Sequence, residues 1–184
     1  MRDFARVVSL ACHDLRTPLA TVTGFAKTLL RTGELDERSS RYVGMIDSAA
    51  DQLAALLDQL GLLARIEGGR YDPALVEADT LELATSTDEH VDSLGQGEMI
   101  QTDDAAVRRA LESLATAAVR HGGLERVTWT VSGRTLALTP VTADAAPIVT
   151  GDEPRDFGAI VARRMIEALG GEVALDGETL LVTL

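Results

Sequence analysis

Cysteine occurs once in the 184 residues, at Cys12, so the chain can form neither an internal disulfide nor a thiolate-built metal site. A small buried side chain is the role expected of it. No apolar run approaches the ~18 residues that a membrane helix needs, and the opening MRDFARVVSL has no signal-peptide core. The expectation is a cytoplasmic protein with no membrane contact. Aromatic residues are 3%, beside 46% hydrophobic and 25% charged, a balance that suits a soluble helix-rich protein and is too apolar for disorder. Positive charge is scarce in one part only. Residues 1–71 hold 9 Lys and Arg against 9 Asp and Glu, whereas residues 72–184 hold 8 against 20. The net charge of −12 therefore belongs to the second part, whose surface repels nucleic acid and attracts polyphosphates poorly.

Hydrophobic spacing divides the chain in the same place. From Arg2 to Arg31, Phe4, Val7 or Val8, Leu15, Leu19, Val22, Phe25 or Ala26 and Leu29 recur at steps of three and four, one face of a helix. The stretch TGELDE (32–37) supplies a glycine stop and an acidic start. A second run through Tyr42, Met45 or Ile46, Ala49, Leu53, Leu56 or Leu57, Leu60 and Leu63 ends at IEGGRYDP (66–73), the best candidate for a domain boundary. Residues 1–70 are read as a long helical hairpin. A hairpin alone leaves its seams wet, so either a second copy completes a dimeric four-helix bundle or the second domain packs against it.

In residues 71–184 periods of two alternate with periods of 3.6. Residues 79–86 read as a strand, 103–121 as a helix, 124–131 as a strand turning through SGRT into LALTPV, 142–156 as loop, 157–171 as a helix and 172–184 as a closing hairpin. The fold class expected is α followed by α+β, with helices over one face of a mixed sheet.

One stretch of the first helix carries chemistry. In ACHDLRTPLAT (11–21) a histidine stands beside an aspartate and five residues before a proline. At 100° per residue, Arg6, Ser9, Thr17, Ala20, Gly24, Lys27 and Arg31 all fall within about 40° of His13, while Val22 and Leu29 lie nearly opposite. His13 thus projects among small and basic residues, on a face that admits another protein and offers cations to an acidic visitor. Pro18 removes the N–H that would bond the Asp14 carbonyl and is expected to loosen or bend the helix there.

The run His13-Asp14-Leu15-Arg16-Thr17-Pro18-Leu19 resembles the H-box of two-component sensor histidine kinases, in the dimerisation and histidine-phosphotransfer domain. The resemblance implies that His13 accepts phosphate, that Asp14 orients the imidazole and takes its proton, and that Thr17 helps to place a water for dephosphorylating a receiver domain. It implies a homodimer through the N-terminal helices. Response-regulator receivers, carrying their own Mg²⁺, would dock around Arg6, Arg16, Ala20, Gly24, Lys27 and Arg31.

Residues 71–184 resemble the family's ATP-binding domain, with departures. LESLATAAVRHGG (111–123) is similar to the N-box, but Ala117 stands where a magnesium-binding asparagine is expected and offers no oxygen to the ion. VTADAAPIV (141–149) has no glycine where the family's DxGxG segment belongs, leaving Asp144 as a remnant of its adenine-reading aspartate. RDFGAIVARRMIEALGGEV (155–173) is similar to the second glycine box. Of its phosphate-approaching glycines it keeps Gly158 alone, with Glu153 and Asp156 adding negative charge nearby. The reading that follows is a histidine phosphotransferase on a kinase scaffold, moving phosphate between receivers without binding ATP or a metal itself. A divergent ATP-dependent kinase or receiver phosphatase, and a non-catalytic regulator that docks on a kinase or receiver, remain the alternatives.

Overall fold

The computed structural model describes residues 2–184, which form two units, one ending at Tyr71 and the other spanning Asp72–Leu184. The first is an antiparallel pair of 31-residue helices, α1 (Arg2–Thr32) and α2 (Glu37–Glu67). Gly33, at φ 67°, ends α1 in the left-handed conformation that glycine adopts most readily. Asp36 then starts α2 by accepting from the Ser39 amide at 2.7 Å.

The residues most fully buried in the hairpin are small ones, while Leu19, Leu57, Leu60 and Leu63 of the periodic stripes are half-buried. Ala5, Cys12 and Ala26, seven residues or multiples of seven apart, are buried on α1, as are Ala50, Gly61 and Ala64 on α2. Small residues let the helices approach closely. A Cβ placed on Gly61 would already touch the Cβ of Cys12, at 3.8 Å. Phe4, Leu15, Val22, Phe25, Leu29, Met45, Ile46, Leu53 and Leu56 remain 44–73% exposed on the isolated hairpin. Nor does Pro18 interrupt α1, which runs continuously through it.

The second unit contains β1 (Val76–Asp79), α3 (Thr80–Ala84), β2 (Val91–Gly97), β3 (Met99–Thr102), α4 (Asp104–Gly122), β4 (Val127–Gly133), β5 (Thr135–Thr139), α5 (Ala146–Val149), α6 (Phe157–Ala168), β6 (Glu172–Asp176) and β7 (Thr179–Thr183). A five-stranded sheet runs β2-β4-β5-β7-β6, with β2 parallel to β4 and every other pair antiparallel. β1 and β3 make a separate antiparallel ribbon. Alternation puts Val127, Trp129, Val131, Leu136, Leu138, Leu180 and Val182 on one face of the sheet, all at most 2% exposed. Val107, Leu111 and Leu114 of α4 and Ala159, Ala162, Met165 and Ile166 of α6 are buried with them.

Three expectations are corrected here. Residues 79–86 are mainly the short helix α3, because the Asp79 side chain accepts from the Leu81 and Glu82 amides and turns the chain out of β1. The expected loop at 142–156 contains the helical turn α5, entered through Pro147 in its first turn, where a missing N–H costs nothing. β1, β2 and β3, which the periodicity did not single out, carry charged, glycine or exposed apolar residues and expose one edge or face.

Candidate functional site

His13 stands on the outside of α1 with its side chain 78% exposed. Its Nδ1 lies 3.2 Å from Asp14 Oδ1. A neutral ring that donates its Nδ1–H to this carboxylate keeps Nε2 as the basic nitrogen, and that nitrogen is the one left for an incoming electrophile. Thr17, one turn on, is exposed and carries the only side-chain hydroxyl at that turn; its own carbonyl accepts from the Thr21 hydroxyl at 3.2 Å.

The cations expected to rim His13 have partners that the first helix alone does not reveal. Arg16 donates from Nε (3.1 Å) and Nη2 (2.7 Å) to the same oxygen of Asp58 on α2. Lys27 Nζ lies 3.2 Å from Asp51 and 3.9 Å from Asp47. Asp47, Asp51 and Asp58 thus form an acidic line on α2 facing the border of the His13 face. Arg6 and Arg31, near the two ends of that face, have no such partner among the described residues, and Ala20 and Gly24 leave an exposed, uncluttered surface between them. A partner approaching His13 therefore meets Arg16 and Lys27 neutralised, and Arg6 and Arg31 uncompensated. The signal for Asp58 was available in its spacing of seven from Asp51, but pairing it with Arg16 requires the hairpin's register.

In the second unit a different group of charges meets at the start of α6. Asp156 caps the helix through Oδ1, which accepts from the Ala159 amide at 3.0 Å. Its Oδ2 lies 3.0 Å from His121 Nε2 and accepts from Arg120 Nη1 at 3.3 Å, both from the C-terminal turn of α4. The Asp156 side chain is only 10% exposed. One carboxylate thus fills the positive end of α6 and draws in two basic residues, the coordination that a phosphate would seek. A Cβ on Gly158 would come within 3.2 Å of Asp156 Oδ1, so even the remaining glycine faces this carboxylate. Ala117 is 1% exposed on α4, and Glu153 pairs with Arg155 at 2.7 Å. Sequence reading found Asp156 and its charge but not Arg120 and His121, 36 and 35 residues away.

Residues 5–69 match the His Kinase A (phospho-acceptor) domain. The chain belongs to the two-component sensor histidine kinase family. The phosphate regulon sensor protein PhoR of Pseudomonas aeruginosa is 31% identical over 144 residues, 70% of this chain and 32% of that protein. The sensor protein DivL of Caulobacter vibrioides is 38% identical over 68 residues, 37% of this chain and 8% of that protein. The chain thus spans about a third or less of these curated relatives. Among solved structures, full-length ShkA in complex with AMPPNP superposes with a TM-score of 0.71 at 22% identity, covering 96% of this chain and 44% of that one. The histidine kinase AdeS of Acinetobacter baumannii gives 0.56 at 16%, covering 93% and 95%. The architecture, a helical hairpin and then an ATPase-like α/β domain, is that of histidine kinases. No helix among the described residues is long and apolar enough to cross a membrane.

Proposed function

We propose that this chain is a histidine phosphotransferase, which carries phosphoryl groups between receiver aspartates through His13 and does not draw them from ATP. The observation that carries the reading is the contrast between the two parts of the molecule. His13 is open to a partner and held by Asp14, whereas Asp156 already occupies the helix end where a nucleotide phosphate would bind. In the forward step the His13 Nε2 lone pair attacks the phosphorus of a receiver's aspartyl phosphate. The N–P bond forms as the P–O bond to the receiver carboxylate breaks, and that carboxylate leaves with the bonding electrons. Asp14 steadies the positive charge that develops on the ring. Attack by a second receiver's carboxylate reverses the exchange. Mg²⁺ belongs to the receiver in this scheme.

The residues around α4 and α6 do not fit a nucleotide with its metal. The Ala117 methyl cannot ligate a hard cation, and a triphosphate at α6 would meet the Asp156 carboxylate in the same place. Thr17, exposed one turn beyond His13, favours receiver dephosphorylation as an accompanying activity. The same geometry supports pairing of two copies through the exposed stripe on α1 and α2.

The deciding experiment mixes the protein with phosphorylated candidate receivers and follows acid-labile phosphate. Label on wild type, none on His13→Ala, and slower labelling of Asp14→Asn are expected. Transfer that persists in His13→Ala overturns the carrier role. Activity in cells without any phosphohistidine favours a docking regulator instead. Low-micromolar ATP affinity with Mg²⁺ by calorimetry returns the chain to the kinases.

A further inference from the structure

Beside the first half of α4 lies a cavity of about 270 Å³ bounded by α3, the loop after it, α4, β2 and β4. Its lining residues all belong to the second unit and do not include Asp156, His121 or Arg120. Its apolar floor consists of Leu83, Val91, Leu111 and Trp129, each no more than 6% exposed. Its rim is polar, with the consecutive hydroxyl residues Thr85, Ser86 and Thr87 on one side and Arg108 and Glu112 on the other.

Arg108 and Glu112 are one helical turn apart, the spacing at which opposite charges usually pair, yet no ion pair joins them. Arg108 Nη1 instead donates to the Glu82 carbonyl, which holds the guanidinium over the mouth beside α3. The hydroxyl side is also fixed. Thr85 Oγ1 donates to the Leu81 carbonyl at 2.9 Å, and Ser86 Oγ accepts from the Asp88 amide at 3.0 Å. The mouth therefore presents one cation and one anion side by side above an apolar floor, and a few placed polar groups over apolar walls are what orient a small ligand.

We propose that this cavity binds a small zwitterion with an aliphatic side chain, an α-amino acid of the leucine type. Its carboxylate meets Arg108, its ammonium meets Glu112, and its side chain enters between Leu83, Val91 and Leu111. A simple anion or a simple cation satisfies only one of the two rim charges. The volume limits the apolar part to a few carbons. The inference does not depend on the phosphotransfer reading, because nothing in it involves His13 or Asp156.

Trp129 is the only tryptophan in the chain and lies in the cavity floor, so its fluorescence reports binding in the intact protein. The probes are L-leucine, leucinamide, which lacks the carboxylate, and 4-methylpentanoate, which lacks the ammonium. L-leucine is expected to give a saturable change in the millimolar range, with the other two about fivefold weaker or more, as rim-exposed charge contacts allow. Arg108→Gln should weaken L-leucine about fivefold and leave leucinamide unchanged, while Glu112→Gln should weaken L-leucine and spare 4-methylpentanoate. Both positions are exposed, and unchanged circular dichroism of each variant checks the fold. The proposal is overturned if L-leucine gives no saturable change up to about 10 mM, a limit of roughly 3 kcal/mol in affinity. It is equally overturned if the three probes bind alike, or if neither variant alters the binding of L-leucine.

Discussion

Leu53 and Leu56 test how the hairpin is completed. They are 53% and 48% exposed on the isolated pair of helices, so about half of the surface of each is still available to a second copy. Full burial of a leucine is worth roughly 1.5–3 kcal/mol, which leaves about 1 kcal/mol per side chain for association. Two such positions on each of two copies supply about 4 kcal/mol, close to a thousandfold in dissociation constant. Replacing both with Asp removes that burial and adds carboxylates whose desolvation opposes pairing. The contacts within the hairpin should survive, because its buried residues are Ala5, Cys12, Ala26, Ala50, Gly61 and Ala64, with half-buried Leu19, Leu57, Leu60 and Leu63 beside them, and neither Leu53 nor Leu56 is among them. Sedimentation velocity should therefore show a wild-type dimer and a monomeric, still helical Leu53→Asp/Leu56→Asp protein. A wild type that stays monomeric at high concentration refutes the argument. A double variant that dimerises as tightly as wild type refutes the choice of face.

Asp156→Ala should lower the stability of the second unit by about 2 kcal/mol, since it deletes a helix cap and leaves His121 without its carboxylate, while Asp156→Ser keeps the cap and should cost about half as much. Urea unfolding followed through Trp129 separates the two, and equal losses would show that the cap contributes nothing and that the contact with His121 carries the effect. Arg16→Asp sets a like charge against Asp58 and should weaken the hairpin by up to ~1 kcal/mol, with recovery in Arg16→Asp/Asp58→Arg. Thermal melting of the single and double variants measures the coupling. The Asp36 carboxyl is held below the usual carboxylate range by the hydrogen bond from the Ser39 backbone, assisted by the Ser39 side chain. A carboxyl depressed on folding stabilises fully above its unfolded value of about 4 and loses that contribution as pH falls through its lower folded value. Helicity of α2 should accordingly decline in that acid window, and Asp36→Asn, still able to cap, should flatten that part of the pH profile.

How far the sequence reached can be seen by comparing particular elements. The helices α1, α2, α4 and α6 were legible because apolar residues at steps of three and four make a local pattern, and the hairpins β4–β5 and β6–β7 because their turns are local too. Helix α3 was not legible, since TLELA alternates like a strand and its state depends on the Asp79 side chain turning the chain at that point. Strand β2 is parallel to β4 and separated from it by a helix and another strand, so neither pattern announces their pairing.

The chemistry divides in the same way. His13 and Asp14 are neighbours in the chain, and their 3.2 Å contact follows from adjacency on one helix; the sequence alone determined that an imidazole and a carboxylate stand together on an outer face. Periodicity likewise established two amphipathic helices, but not which apolar residues join them to each other. Tertiary structure decided that, because the closest approach of the two helices selects small side chains for full burial and leaves Phe4, Leu15, Phe25, Met45 and Leu53 outside. Tertiary structure also decided that Arg16 belongs to Asp58, Lys27 to Asp51, and Asp156 to His121 and Arg120. Such pairings link residues 24 to 42 positions apart, and the Coulomb energy that makes them depends on distance in space, which only the packing of one element on another fixes.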